Sequence, residues 1–205
     1  RIGAVGIVAM QELARSQPDG YTLSYANLAI AVSQALLGRG TFSLAKDATA
    51  IGAVNNVVRT DDGRLVGFNT DAPGFRAGVE LALGRSIAGL DVAVAGAGGA
   101  AHAVVYACLV AGAASVIVGN RTIGAADALV ARFAGTGTGA LAAVALGDPA
   151  FGTALEAAGL AVNATTVGMV DAGATIDVAR LSPDATVFDL VYVPAETALV
   201  RAARE

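Results

Sequence analysis

From residue 85 onward the sequence predicts a doubly wound, parallel α/β sheet, preceded by a small, incomplete α/β segment. Short apolar runs alternate with helical stretches of roughly ten residues, the rhythm that yields a parallel sheet with helices on both faces. A glycine-rich turn joins the first of these strands to the first helix. The apolar run 100–118 changes from helical to strand-like period at Gly112, as a buried helix feeding a buried parallel strand should. Strands are expected at 91–95, 115–119, 141–145, 160–164 and 186–191. Helices are expected at 99–111, 123–133 and 150–158, with a final one beginning near Pro194 and a glycine/threonine loop at 135–139.

Ahead of the sheet, residues 51–84 read as a hairpin and a helix. Strand-like 56–60 and 64–68 flank the turn Asp61-Asp62-Gly63, a sequence suited to reversing two paired strands. Pro73 suits the first turn of a helix running to about Leu83. Residues 1–50 form an atypical N-terminal segment: helical periodicity at 4–15, a turn at Pro18-Asp19-Gly20, and alternation over 21–25. The chain is thus expected to divide into 1–50, 51–84 and 85–205.

Composition removes several functions. The 205 residues are 55% hydrophobic and 15% charged, with a formal net charge of −4. Lys46 is the single lysine and the arginines are scattered, so no nucleic-acid-binding surface is expected. Cys108 and His102 are each the only residue of their kind, which excludes an intramolecular disulfide and a multi-histidine or thiolate metal site. Cys108, in an apolar stretch, reads as a small buried side chain. Gly112 and the change of period argue against a membrane span across 100–118, and the start carries no export signal.

Gly96-Ala97-Gly98-Gly99-Ala100-Ala101 follows a predicted strand and opens a predicted helix. The first glycine permits a tight turn, and the second lets the backbone approach a pyrophosphate. Ala101 in the third position allows close helix–sheet packing. Free N–H groups at the helix start then face the phosphates. An NAD site usually carries an acidic residue at the end of the second strand. Here that strand ends Val118-Gly119-Asn120-Arg121-Thr122, and Arg121 suits a 2′-phosphate. The expected cofactor is therefore NADP, held in a Rossmann dinucleotide-binding domain over 85–205. His102 is either a phosphate neighbour or a structurally satisfied histidine.

With these features in place, the sequence resembles the shikimate dehydrogenase family. The resemblance rests on Ile51-Gly52-Ala53-Val54-Asn55, Gly67-Phe68-Asn69-Thr70-Asp71, Gly96 to Ala101 and Asn120-Arg121-Thr122. It continues through Val162-Asn163-Ala164-Thr165, Val167-Gly168-Met169 and Asp189-Leu190-Val191-Tyr192, in family order. It implies an NADP-dependent, cytoplasmic oxidoreductase of aromatic amino-acid biosynthesis that reduces 3-dehydroshikimate to shikimate, or acts on a related cyclic hydroxy acid, with a homodimer allowed for. Asn55, Asp71 and Tyr192 would meet the substrate, and Asp71 would be half of a catalytic Lys/Asp pair. Gly96, Ala97, Gly98, Gly99, Ala100, Asn120, Arg121, Thr122, Thr165 and Leu190 would bind the cofactor; no metal is implied.

The chain departs from the family pattern in three places. The lysine-bearing Asn-Val-Thr-x-Pro-x-Lys segment is absent, and Lys46 stands only nine residues before Asn55. No second basic residue follows Asn120-Arg121 within Ile123-Gly124-Ala125-Ala126. The chain stops at Glu205, ahead of the family's closing segment. Weak turnover with retained cofactor binding is therefore expected, and Asp71 could instead serve as a helix N-cap. Residues 1–50 resemble part of a tripartite tricarboxylate transporter solute-binding protein. The alternatives are a non-catalytic NADP-binding module and, further off, a periplasmic carboxylate-binder fragment.

Overall fold

The computed structural model describes residues 55–59, 65–170 and 173–205, the strands 56–59 and 65–68 by their backbone. The readings made for 1–54, for the turn at 61–63 and for the position of Lys46 lie outside the described residues. The chain divides at Asp71/Ala72 into two compact units. In the first, β1 (Asn56–Arg59) and β2 (Leu65–Phe68) pair antiparallel, Asn56 opposite Phe68, as the hairpin signal predicts.

Helix α1 (Asp71–Leu83) starts at the unit boundary and buries Ala72, Phe75 and Val79. Phe75 meets Phe188 edge-on, ring centroids 5.3 Å apart. Arg76 pairs with Glu80 at 3.2 Å, one turn on. The Glu80 carboxylate also accepts from the Ser86 hydroxyl at 2.9 Å and the Ile87 N–H at 3.3 Å. Its pKa is lowered by the hydrogen bonds from Arg76 and then Ser86. This carboxylate ties the end of α1 to the link that enters the sheet.

The sheet contains β3 (Asp91–Ala95), β4 (Ser115–Asn120), β5 (Ala140–Ala145), β6 (Leu160–Asn163) and β7 (Thr186–Asp189). Their order is β5-β4-β3-β6-β7, and every pairing is parallel. Side chains alternate between faces along a strand. Ala93, Ala95 and Ala161 pack with Phe151, Leu155, Ile176 and Leu199 in one buried cluster. Val92, Val94, Val116, Val118, Leu160 and Val162, also buried, turn to the opposite face. Both faces are thus covered, which is why the strands read as unbroken apolar runs.

Helix α2 (Gly99–Val110) connects β3 to β4, α3 (Ile123–Phe133) connects β4 to β5, and α4 (Pro149–Ala157) crosses back to β6. Buried side chains surround most of α2: Ala101, Ala103, Val104, Val105, Ala107, Cys108 and Leu109. That burial explains its lack of a polar face. Asp148 caps α4 by accepting from the Ala150 N–H at 2.8 Å, and Pro149 opens the first turn. The Phe151 ring lies on β4, only 2.5 Å from where a Cβ on Gly119 would stand; glycine there lets α4 seat on the sheet.

Two local expectations change. A 3₁₀ turn, Val178–Arg180, was not foreseen, and Asp177 caps it through the Ala179 N–H. The last helix, α5 (Ala198–Ala202), starts beyond Pro194. The Thr197 hydroxyl accepts from the Val200 N–H at 3.2 Å, so the cap fixes the start and Pro194 belongs to the preceding loop. Among the described residues no helix is long and apolar enough to cross a membrane.

Candidate dinucleotide site

The chain winds from β3 to β4 to β5 on one side of the sheet, then returns to β6 and β7 on the other. In such sheets ligands bind beyond the carboxyl ends of the strands where the order reverses, here between β3 and β6. The glycine turn leaves β3 at that place. Gly96 has φ +114°, a backbone conformation that other residues rarely adopt. Its N–H donates to the Gly119 carbonyl at 2.8 Å. A Cβ on Gly96 would stand 2.7 Å from the Ala164 carbonyl oxygen, so geometry and space both require glycine.

Gly98 and Gly99 have another reason to be glycine. Gly98 has φ −83° and ψ −172°, allowed to any residue, and a Cβ at either position would meet nothing within 4 Å. Protein packing asks for no glycine here. The bare backbone at both positions leaves room for a ligand to approach it closely. Gly98 is the N-cap of α2 without a side-chain cap, and the first turn carries no acidic residue. The helix start therefore presents uncapped N–H groups and the positive end of its dipole. Ala97 is half-buried and Ala100 exposed beside them, while Ala101 is fully buried against the sheet.

At the end of β4, the Asn120 side-chain amide donates to the Thr122 carbonyl at 2.9 Å and shapes the loop. Arg121 is exposed, and no carboxylate among the described residues pairs with it. Thr122 is the N-cap of α3 but makes no side-chain cap bond. A guanidinium, a hydroxyl and a helix start are thus all left open at one loop. His102 is otherwise engaged: Nδ1 lies 2.9 Å from the Gly98 carbonyl, and the ring packs on Phe133 with centroids 5.9 Å apart. Its structurally satisfied role is the one the geometry favours.

The ends of β6 and β7 carry a buried polar network. Asn163, 1% exposed, donates from Nδ2 to Asp189 Oδ1 at 2.9 Å and to the Val167 carbonyl at 3.2 Å. Its Oδ1 accepts from the Thr165 N–H, the Thr165 hydroxyl and the Thr175 hydroxyl. Asp189 Oδ1 also accepts from the Val191 N–H at 3.0 Å, and Oδ2 from the Thr197 hydroxyl at 2.6 Å. The Thr165 hydroxyl is spent inside this loop, since it also accepts from the Val167 N–H. The Leu190 N–H donates to the Asn163 carbonyl at 3.0 Å. Tyr192, 81% exposed, stands just beyond. Thr175 and Thr197 were not read as important from the sequence. The available signal was a polar residue closing an apolar strand, in Val162-Asn163 and again in Phe188-Asp189.

In the first unit Asn55 and Asp71 come together. Asn55 Nδ2 donates to Asp71 Oδ1 at 2.6 Å and lies 2.9 Å from the Thr70 hydroxyl oxygen, while Oδ1 accepts from the Thr70 N–H at 2.9 Å. Asp71 is the first residue of α1 rather than the residue before it. Its carboxylate therefore lies in the first turn, where the helix dipole favours negative charge.

No family model matches the chain. The shikimate dehydrogenase (NADP(+)) of Methylobacterium radiotolerans is 41% identical over 207 residues, covering 96% of this chain and 68% of its own length. Other curated shikimate dehydrogenases are matched over little more than half their length, 54% for that of Geobacter metallireducens. Among solved structures, quinate dehydrogenase from Corynebacterium glutamicum in complex with NAD has a TM-score of 0.76 at 32% identity, covering 96% of this chain and 67% of that one. Shikimate 5-dehydrogenase from Thermus thermophilus in complex with NADP(H) and shikimate has a TM-score of 0.70 at 34% identity, covering 95% and 66%. The transporter-like reading of residues 1–50 finds no support in these comparisons, and two of the alignments extend over 96% of the chain. By sequence and by fold, the chain belongs to the shikimate dehydrogenase family.

Proposed function

We propose that the chain binds NADP(H) at the carboxyl edge of its parallel sheet and serves hydride transfer between the nicotinamide and shikimate or a related cyclic hydroxy acid. The observation that carries this reading is the open cradle at Gly98 and Gly99, beside an exposed arginine that no carboxylate among the described residues pairs with. The uncapped start of α2 holds the pyrophosphate by N–H donation. Arg121 takes the 2′-phosphate through charge-assisted bonds, with Asn120 and Thr122 shaping its loop. That leaves the other half of the cofactor over β6 and β7, beside Thr165 and Leu190. When bound, the cofactor supplies or accepts the hydride at the substrate's carbonyl carbon. Asn55 and Asp71, joined by their short hydrogen bond, orient substrate hydroxyls, and Tyr192 adds to the substrate side. A cytoplasmic setting and a homodimer belong to the same proposal, on the strength of the family resemblance.

Turnover by these 205 residues alone is proposed to be slow. Lys46 is their only lysine, and it lacks the sequence surroundings of the family's catalytic lysine. A missing positioned acid/base costs ~10²–10⁴-fold in rate. A non-catalytic NADP-binding module is the second reading, favoured by the contrast between an intact cofactor turn and this missing lysine segment. Shikimate-dependent NADP reduction, measured beside NADPH fluorescence titration, separates the readings. Saturable binding with slow reduction is expected; no reduction at all favours the second reading. Turnover matching a full-length relative overturns the claim of slowness, and absence of NADPH binding overturns both.

A further inference from the structure

We propose that Asp189 is a positioning residue for the nicotinamide half of the cofactor, acting through Asn163 and Thr197 rather than by touching the ligand. The inference rests on the NADP reading above and goes beyond it. With the 2′-phosphate at the end of β4 and the pyrophosphate at the end of β3, the rest of a dinucleotide must run over β6 and β7. The loops leaving those two strands form that part of the floor, and one carboxylate joins them.

Register brings Asn163 and Asp189 side by side at the last rung of the β6–β7 ladder. Asp189 accepts three hydrogen bonds: from Asn163 Nδ2, from the Val191 N–H and from the Thr197 hydroxyl. Asn163 passes the constraint to Thr165, Val167 and Thr175. Thr197, 2% exposed, passes it to the start of α5 through Val200. Both N–H groups of the Asn163 amide are committed and its oxygen accepts three bonds, so its orientation is fixed by the network. Among the described residues no arginine pairs with Asp189, which accepts from these three donors. One substitution therefore loosens the 164–170 and 190–197 segments together. The glycine turn is spared: Ala164 is anchored independently by its N–H to the Ala95 carbonyl at 2.8 Å, and Arg121 lies two strands away from β6.

The distinction can be read with two ligands, NADPH and 2′-phospho-ADP-ribose, which lacks the nicotinamide. Asp189→Asn is expected to weaken NADPH about tenfold, the scale of a lost charge-assisted bond, and to leave 2′-phospho-ADP-ribose within about twofold. Thr197→Val should weaken NADPH in the same direction by a smaller factor, and Thr197→Ser, which keeps the hydroxyl, should restore it. Equal losses for both ligands, or no loss for either, overturn the proposal by assigning Asp189 a general structural role. Failure of both Asp189→Asn and Thr197→Val to fold, monitored by circular dichroism, overturns it on the same ground. If the unmodified chain binds neither ligand, the NADP reading falls and this proposal with it. If the unmodified chain binds both and the variants lose both equally, only this proposal falls.

Discussion

At the end of β4 Arg121 is exposed with no carboxylate partner among the described residues, and the Asn120 to Thr122 hydrogen bond shapes the loop. At the ends of β6 and β7, Asn163 and Thr197 are almost wholly buried and bound to Asp189. The two places serve the same proposed ligand, yet one is open and the other saturated. Recognition of a charged group needs a donor left free, because an arginine already paired has little to offer a phosphate. Holding a reacting ring in register needs the reverse, side chains whose rotamers are already fixed. On the proposed reading, affinity and geometry are handled by different loops of one edge.

The largest expected effect lies on the saturated side. Asn163→Leu should destabilise the fold by roughly 2–4 kcal/mol, since it leaves Asp189 and two threonine hydroxyls short of partners. Urea unfolding checks this, and a loss below about 1 kcal/mol would break the comparison. Next comes the hinge between the two sides. Gly96→Val combines a positive φ with a Cβ 2.7 Å from the Ala164 carbonyl oxygen, and should cost about 1–3 kcal/mol along with detectable NADPH binding. On the open side, Arg121→Ala should weaken NADPH by about tenfold to a hundredfold, leave NADH unchanged, and shift stability by less than about 0.5 kcal/mol. An equal loss for NADH would remove Arg121 from the 2′-phosphate. The smallest effect concerns Cys108, whose thiol is pushed up to about 12 by burial. It should resist thiol reagents at pH 8 in the native state and react on unfolding; rapid native labelling would show that α2 opens readily.

Much of the edge was legible because it is local. The turn Gly96 to Ala101 carries its reasons in adjacent letters, and α3 spans 123–133 as its period and flanking signals predict. The Asn163 network was not legible in that way. Asn163 and Asp189 are 26 residues apart and meet only because parallel register sets them on one rung. A single sequence shows that each ends an apolar strand, but register is a property of the assembled sheet. The start of α5 fails for a related reason: proline marks where a helix can begin, whereas the Thr197 side chain, held by Asp189, decides where this one does. Asn55 and Asp71 were expected as substrate contacts, Asp71 also as half of a catalytic pair or as a helix N-cap, but not as partners of one another. Their hydrogen bond arises because the hairpin returns the chain to the start of α1.

The solvent-facing arginine after β4 has a consequence for descent. An exposed residue with no carboxylate partner among the described residues can be exchanged at little thermodynamic penalty, so selection on the proposed nucleotide preference would act there almost free of selection on folding. If the proposed roles hold, lineages sharing this architecture can drift between phosphorylated and unphosphorylated dinucleotides by altering one loop, while the interior proposed to position the reacting ring stays as inherited.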